Sequence, residues 1–415
     1  HLDFRRQRQM CIRDRILFMK PADSIQDLQF FGEFGGVNPS ITDSSTYTFL
    51  SAKKMFDTFE GNTDGCYLYS RHSTPSNLYL GQALAALEGT ETSNVSSSGM
   101  GAITSVLLQL CSSGDHIVSS RTIYGGTYAF LKNFSPKFNI KTSFVDITNL
   151  KKVESLITKK TKVIYCESVS NPLLEVADIE SLSKISKKYN IQLIVDNTFS
   201  PLSISPKKFG ADVVIHSLTK FINGSSDAVG GVVCGTQQLI DDLRNVNDGA
   251  AMLLGSSMDS LRASSILKNL KTLHVRIKQH SQNALYLAEK FESIGIKTVY
   301  PGLKSHPSFT IFTNQMNKEF GYGGMLTIDV GSLKKANSLM ELMQHKNLGY
   351  LAVSLGFYKT LFSAPGTSTS SEIPENEQKE MGMSDGLIRF SVGLDNDIDR
   401  TYQAMNNCMK EIEII

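Results

Sequence analysis

The segment HSLTKFINGSSDAVGG, residues 216–231, sets Lys220 just after an apolar run, DVVIH, and just before a glycine-rich turn. A lysine at the mouth of a buried strand loses part of its hydration. Its ammonium form is then disfavoured, and the free amine becomes a nucleophile toward an aldehyde. Ser217 and Thr219 flank it with hydroxyls that suit phosphate oxygens. A lone loop lysine is by default a surface residue; the Ser-x-Thr-Lys setting, with Asp227 and glycines behind it, argues for chemistry. In VDNTFSP, 195–201, Asp196 ends the run IQLIVD. Such an aspartate either caps a turn or pairs with a protonated ring nitrogen of a cofactor, making the ring an electron sink.

Three further segments carry candidates. SSSGMGAITSVLLQL, 96–110, leads small residues into a helix, and a helix start offers free N–H groups to a phosphate. Gly99 and Met100 would supply those donors. A plain helix cap is one alternative. A dinucleotide loop is another, but its G-x-G-x-x-G pattern fails at Thr104 and no strand is legible before it. In YLYSRHSTPS, 67–76, Arg71 could clamp phosphate through its planar fork, with Tyr69 beside it; a surface arginine is the default. In RTIYGGTYAF, 121–130, the Tyr124 ring could stack on a planar cofactor and its hydroxyl could move a proton, or it could be a core tyrosine.

These residues need elements to hold them. HIVSS (116–120), TSFVD (142–146), KVIYCE (162–167), IQLIVD (191–196), DVVIHS (212–217) and GGVVCG (230–235) read as strands, nearly continuous in hydrophobicity as parallel strands covered on both faces must be. Between them lie helical patterns such as 177–189, with Ile179, Leu182 and Ile185 in phase. The alternation predicts a doubly wound α/β sheet, with ligands at the carboxyl ends of its strands. Beyond about residue 255 the texture changes. A long helix over 258–294, strands at 323–330 and 387–393 and a helix over 332–345 predict a smaller α+β domain. SAPGTSTSSEIPENEQ, 363–378, reads as a loop.

A chain of 415 residues divides naturally into two domains. The expected division is an N-terminal arm over 16–66, a large cofactor domain over 67–255 and a C-terminal domain over 256–415. The formal charge of +2 argues against an extended nucleic-acid footprint, and the lysine pairs read as solvated helix faces. None of the six cysteines forms a C-x-x-C pair, so free thiols in a reducing compartment are expected rather than disulfides or a metal site. No apolar run reaches the roughly 18 residues that span a bilayer, and no secretory signal is legible. A cytoplasmic protein without membrane or nucleic-acid partners is expected. The arginine-rich stretch HLDFRRQRQMCIRDR, 1–15, reads as a non-native or disordered extension, with a transit peptide as the other reading.

Taken together, YSR, SSGMGAI, YGGT, ESVSNP, VDNTFSP, HSLTKFINGSSD, LKTLHVR, YPGL, AVSLG and LIRFSVGLD resemble, in order over roughly residues 25–412, the Cys/Met-metabolism (trans-sulfuration) family of pyridoxal-5'-phosphate (PLP) enzymes. The resemblance implies the PLP-dependent transferase fold, fold type I, like aspartate aminotransferase. It implies that Lys220 carries PLP on its amine and moves protons, and that Asp196 binds the ring nitrogen. Tyr124 would stack on the ring and serve as acid for the leaving group. Gly99, Met100, Ser217 and Thr219 would hold the phosphate, with Tyr69 and Arg71 reaching it in a neighbouring subunit. A homo-oligomer, a dimer with shared sites and a homotetramer of such dimers, is therefore implied. Asn171 would contact the ring hydroxyl with Glu167 nearby. Arg389 and Ser354 would grip the substrate carboxylate.

Within that family the chain is most similar to the methionine γ-lyases and cystathionine γ-lyases, and its residues lean toward the former. Enzymes that handle cystathionine usually carry Glu where this chain has Val353, and valine suits an apolar thioether. Against that, methionine γ-lyases often place Cys at the position of Gly126. The histidine-bearing loop of the family is replaced here by SAPGTSTSSEIP. The expected reaction is γ-elimination of L-methionine to methanethiol, 2-oxobutanoate and ammonia. The alternatives are a cystathionine γ-lyase, a γ-replacing transferase such as cystathionine γ-synthase or O-acylhomoserine sulfhydrylase, and a non-catalytic PLP-binding protein.

Overall fold

The computed structural model describes residues 20–61 and 65–415, so the expected extension over 1–15 lies outside the described residues. In chain order the strands are β1 Thr92–Ser96, β2 His116–Ser120, β3 Lys141–Val145, β4 Thr161–Glu167, β5 Gln192–Asp196, β6 Val213–Ser217, β7 Gly231–Gly235, β8 Lys297–Val299, β9 Met325–Asp329, β10 Tyr350–Leu351, β11 Leu361–Ser363 and β12 Leu387–Ser391. Two compact units share the chain. One takes residues up to 110 with 212–219 and 228–271; the other takes 111–211, 220–227 and 272–415. The segment 67–255 thus contributes to both.

The first unit holds β1, β6 and β7, with β7 running antiparallel to each of the other two. The expectation that GGVVCG continues a parallel array is corrected here. The link 218–230 contains turns and no crossover helix, so the chain turns back instead of crossing over. A second correction concerns SSSGMG, because β1 does precede it. Its residues, Thr-Ser-Asn-Val-Ser, lack the Val/Ile run that marks a strand. Pairing with β7 and the Ser93 hydroxyl's bond to the Gly81 carbonyl, 2.8 Å, hold it instead. Helix Pro75–Glu88 starts on Thr74, whose hydroxyl accepts from Asn77 N at 3.2 Å, and stops at Gly89 in the left-handed region.

The second unit holds β2, β3, β4 and β5, all parallel, with β2 between β3 and β4 and with β5 beyond β4. β4 is buried along nearly its whole length, as a covered parallel strand must be. Helix Ile179–Tyr189 is capped by Asp178 and ends at Asn190 with positive φ. The same unit carries a five-strand sheet in the order β10-β11-β12-β9-β8. Phe291, Leu339, Phe362, Phe390 and Met405 pack into one apolar core there. The expected helix over 258–294 is two helices, Ser260–Leu270 and Leu273–Ser293. Thr272 leaves helical geometry, and its hydroxyl accepts from Arg276 Nε at 3.2 Å. The loop over 363–378 contains a 3₁₀ turn, Pro365–Thr367, and the start of a short helix, Glu375–Glu380.

Five cysteines, Cys66, Cys111, Cys166, Cys234 and Cys408, are free thiols, four of them buried. Among the described residues no helix is long and apolar enough to cross a membrane.

Candidate active site

Parallel strands deliver their carboxyl ends to one edge, and β4 and β5 end in register on two acids, Glu167 opposite Asp196. Both are buried. Asp196 Oδ1 accepts from the Thr198 amide at 3.0 Å and the Thr198 hydroxyl at 2.6 Å, while the Tyr165 hydroxyl lies 3.4 Å from Oδ2. Glu167 works on backbone. Its Oε1 accepts from Tyr124 N at 2.7 Å and its Oε2 from Asn171 N at 2.8 Å. One carboxyl thereby fixes the two loops that carry Tyr124 and Asn171. Burial first, then the charge of Asp196, pushes the Glu167 carboxyl well above its usual range.

Tyr124 is 43 % exposed, so it faces open space rather than core. Burial of part of the ring, then the charges of Glu372 and Glu167, raise its phenol and keep it protonated. Gly126 makes room for that ring: a β-carbon there would fall 2.6 Å from Tyr124 Cε1 and 3.3 Å from Oη. A cysteine at 126 would therefore require a different setting of the tyrosine.

Arg389 lies on β12 between Ser363 of β11 and Thr327 of β9 and is 2 % exposed. Its Nη1 donates to Asn171 Oδ1 at 3.0 Å and lies 3.4 Å from Thr369 Oγ1. Its Nη2 lies 3.5 Å from the carbonyls of Val353 and Ser354. None of these acceptors is a carboxylate, and Nε is buried without a protein partner. Burial lowers its pKa to about 10, so it stays a cation. A buried cation with neutral partners and an unused donor calls for an anion from outside the chain.

Lys220 completes this set. Its Nζ donates to Ser354 Oγ at 3.2 Å. Burial, then the charge of Arg389, lowers its pKa to about 8. Gly356 lets the turn after Ser354 press against the lysine's own backbone, because a β-carbon there would fall 2.8 Å from the Lys220 carbonyl carbon. Arg276 braces the chain just beyond it, donating to the Phe221 carbonyl and, at 2.9 Å, to the Ile222 carbonyl.

The phosphate candidates form their own group in the first unit. Helix Gly99–Leu110 opens after Ser98, whose hydroxyl accepts from Gly101 N at 3.0 Å. A β-carbon on Gly99 would fall 2.9 Å from Ser217 Cβ, so glycine is what keeps the helix start and the Ser217 hydroxyl together. The Thr219 hydroxyl accepts from Gly230 N at 3.1 Å. Tyr69 and Arg71 are neighbours, the guanidinium 5.9 Å from the ring centre, and Arg71 Nη1 donates to the Met252 carbonyl at 3.0 Å. Val353 offers only its carbonyl to Arg389; its side chain is exposed.

Thr369, Glu372 and Arg276 were not among the expected site residues. Arg276 ends the LKTLHVR motif. The other two sit in a Ser/Thr-rich loop, where periodicity gives no signal.

One unit offers a desolvated lysine amine beside a buried arginine, with acids at adjoining strand ends; the other, taken by itself, offers a glycine-opened helix start. These are the kinds of group that an α/β enzyme with an aldehyde-and-phosphate cofactor needs. The chain belongs to the Cys/Met metabolism family of PLP-dependent enzymes, whose model matches residues 25–409. It is 44 % identical over 389 residues to a methionine gamma-lyase of Arabidopsis thaliana, covering 92 % of this chain and 88 % of the relative. A cystathionine gamma-lyase from Lactobacillus plantarum, solved with L-serine, superposes with a TM-score of 0.85 at 28 % identity, covering 95 % of this chain and all of that one. A putative O-acetylhomoserine (thiol)-lyase from Campylobacter jejuni, solved with N'-pyridoxyl-lysine-5'-monophosphate, superposes at 0.84 with 30 % identity, covering 96 % and 99 %. The residues present fit PLP. The amine of Lys220 suits its aldehyde, and the Gly99–Ser217 cradle suits its phosphate.

Proposed function

We propose that this chain catalyses γ-elimination on L-methionine, with water, to give methanethiol, 2-oxobutanoate and ammonia. The observation that carries the reading is the buried Arg389, which lacks a carboxylate partner and shares Ser354 with the Lys220 amine. An amino acid held there by its carboxylate has its α-carbon beside that amine. Val353, in place of an acid, and the similarity to the Arabidopsis enzyme favour methionine. PLP, when bound, supplies an aldehyde for amine exchange and a ring that withdraws electrons from the α-carbon.

In this reading Arg389, with Ser354 and the backbone of Val353, orients the substrate carboxylate. Lys220 Nζ carries the cofactor and then moves protons between substrate carbons. Tyr124 Oη holds the proton given to the leaving sulfur and its ring stacks on the cofactor. Asp196 keeps the ring nitrogen protonated, and Asn171 contacts the ring hydroxyl. Gly99, Met100, Ser217 and Thr219 hold phosphate. Tyr69 and Arg71 serve a neighbouring subunit's phosphate, in a dimer with shared sites that pairs into a tetramer. The apolar arm supports association: Phe31, Phe34, Leu50 and Phe56 are exposed on it. An arm over 16–66, a cofactor domain over 67–255 and a substrate domain over 256–415 remain the proposed functional division, in the cytoplasm.

The test uses purified holoenzyme with methionine, with cystathionine, and with O-acetylhomoserine plus a thiol. Keto acid and methanethiol from methionine are expected; absence of 2-oxobutanoate from methionine would sink the reading. The Lys220 pKa adds a pH prediction. Below about pH 8 the amine is protonated and cannot attack an aldehyde; above it the amine is free. The rate at which cofactor-stripped protein regains PLP absorbance should rise with pH and level off near pH 8. A rate still climbing tenfold per unit at pH 9.5 would place the reacting lysine on the surface.

A further inference from the structure

Lys220 opens a single turn, 220–224, which Gly224 N closes on the Lys220 carbonyl at 2.8 Å. Phe221 and Ile222, next in the turn, are buried, so their carbonyls need partners inside the protein. One guanidinium serves both. Arg276 donates through Nη1 to the Phe221 carbonyl and through Nη2 to the Ile222 carbonyl at 2.9 Å, while its Nε donates to the Thr272 hydroxyl at 3.2 Å. Gly224, at φ +70°, leaves the fork its seat: a β-carbon there would fall 2.3 Å from Nη1. One turn further along helix Leu273–Ser293, on the same face, stands His280. Its ring meets the Phe221 ring edge-on with centres 5.2 Å apart, and its Nδ1 donates to the Val392 carbonyl at 2.6 Å. His280 and Phe221 are both fully buried. A β-carbon on Gly324 would fall 2.9 Å from His280 Cβ and 3.2 Å from Phe221 Cε1, so glycine there admits the pair. Val392 directly follows β12, the strand of Arg389. One helix face thus grips the lysine's turn at Arg276 and the end of the arginine's strand at His280.

We propose that Arg276 is a positioning residue for Lys220: its fork, seconded by His280, holds the turn 220–224 so that the lysine amine stays shielded from water beside Arg389 and Ser354. The proposal rests on the reading of Lys220 as the cofactor's lysine. The amine ends a flexible four-carbon stem, so the seat of its backbone decides how deep the head can lie. A turn that tilts outward carries the amine toward water, and a hydrated amine keeps its proton to higher pH. The groups that face the amine are the Arg389 guanidinium, from β12, and the Ser354 hydroxyl. Arg276 reaches it through backbone, since both fork nitrogens end on carbonyls. Arginine suits this task because its planar fork spans two adjacent carbonyls, which the point charge of an ammonium cannot do.

The experiment strips PLP from wild type, Arg276→Lys and Thr272→Ala, then follows recovery of PLP absorbance across pH. Arg276→Lys keeps the charge and loses the fork. Its uptake is expected to be about tenfold slower than wild type near pH 7, with the same limiting rate reached about one unit higher in pH. An arginine that acted by its field alone would leave the lysine variant with the wild-type profile, and that result overturns the proposal. A rate lowered equally at every pH overturns it too, as does a lower melting temperature with an unmoved profile, which is what a merely structural residue gives. Thr272→Ala removes an exposed hydroxyl and only the Nε contact of the fork, so it keeps the test open if Arg276→Lys does not fold. About threefold slower uptake near pH 7 is expected there, the scale of one weakened hydrogen bond, and an unmoved profile counts equally against the proposal. Borohydride labelling of wild type away from position 220 removes the reading of the lysine itself, whatever either variant does.

Discussion

Lys220→Ala is expected to lower turnover of every substrate by at least about ten-thousandfold, the scale of removing a covalent catalyst. Borohydride treatment followed by denaturation should leave PLP on the wild-type chain, mapped to position 220, and none on the variant. The fold should survive. The amine's pKa of about 8, against an ordinary lysine near 10.5, means that the folded chain disfavours the ammonium. Between those values the unfolded chain binds the extra proton, so stability rises with pH through that window and is lowest below it. Removing the lysine removes that penalty. At pH 7 the cofactor-free variant should melt no lower than cofactor-free wild type. A variant that retains turnover, or wild-type label found on another lysine, would end the assignment.

Tyr124→Phe is expected to slow methionine γ-elimination about a hundredfold, the loss of one general acid, with most of the change in kcat. The ring is retained, so cofactor absorbance should persist. Two neighbours make the hydroxyl's loss specific. Glu167 holds the backbone of residue 124 through its amide, which phenylalanine keeps. Gly126 leaves the ring its place whichever side chain stands there. Near-normal kcat in this variant would move the leaving-group proton to another residue.

The strand ends were legible because burial writes them as Val/Ile runs. β2 spans His116–Ser120 as expected, and β5 ends on Asp196. Lys220, Asp196 and Gly99 follow from such runs or from a glycine at a helix start. β1 was not legible, because its Thr, Ser and Asn side chains are held by hydrogen bonds and pairing rather than by apolar packing. Nor was the break at Thr272, since the apolar phase continues through it. The loop over 363–378 was least legible. Thr369 and Glu372 meet Arg389 and Gly125 only through folding of a loop whose composition announces nothing except that it is a loop. Glu167 was placed only by resemblance, because a carboxyl that serves two backbone amides has no sequence pattern of its own.

The two units alternate along the chain, changing over after residues 110, 211, 219, 227 and 271. Severing the polypeptide at residue 110 would strand β1 without β7, its hydrogen-bonded neighbour 135 or more positions downstream. Neither unit can therefore be expressed as a single contiguous fragment, and hybrids between relatives need several junctions, not one. On the ribosome, the early strand must wait for distant sequence before it can pair, which makes assembly non-local and slow.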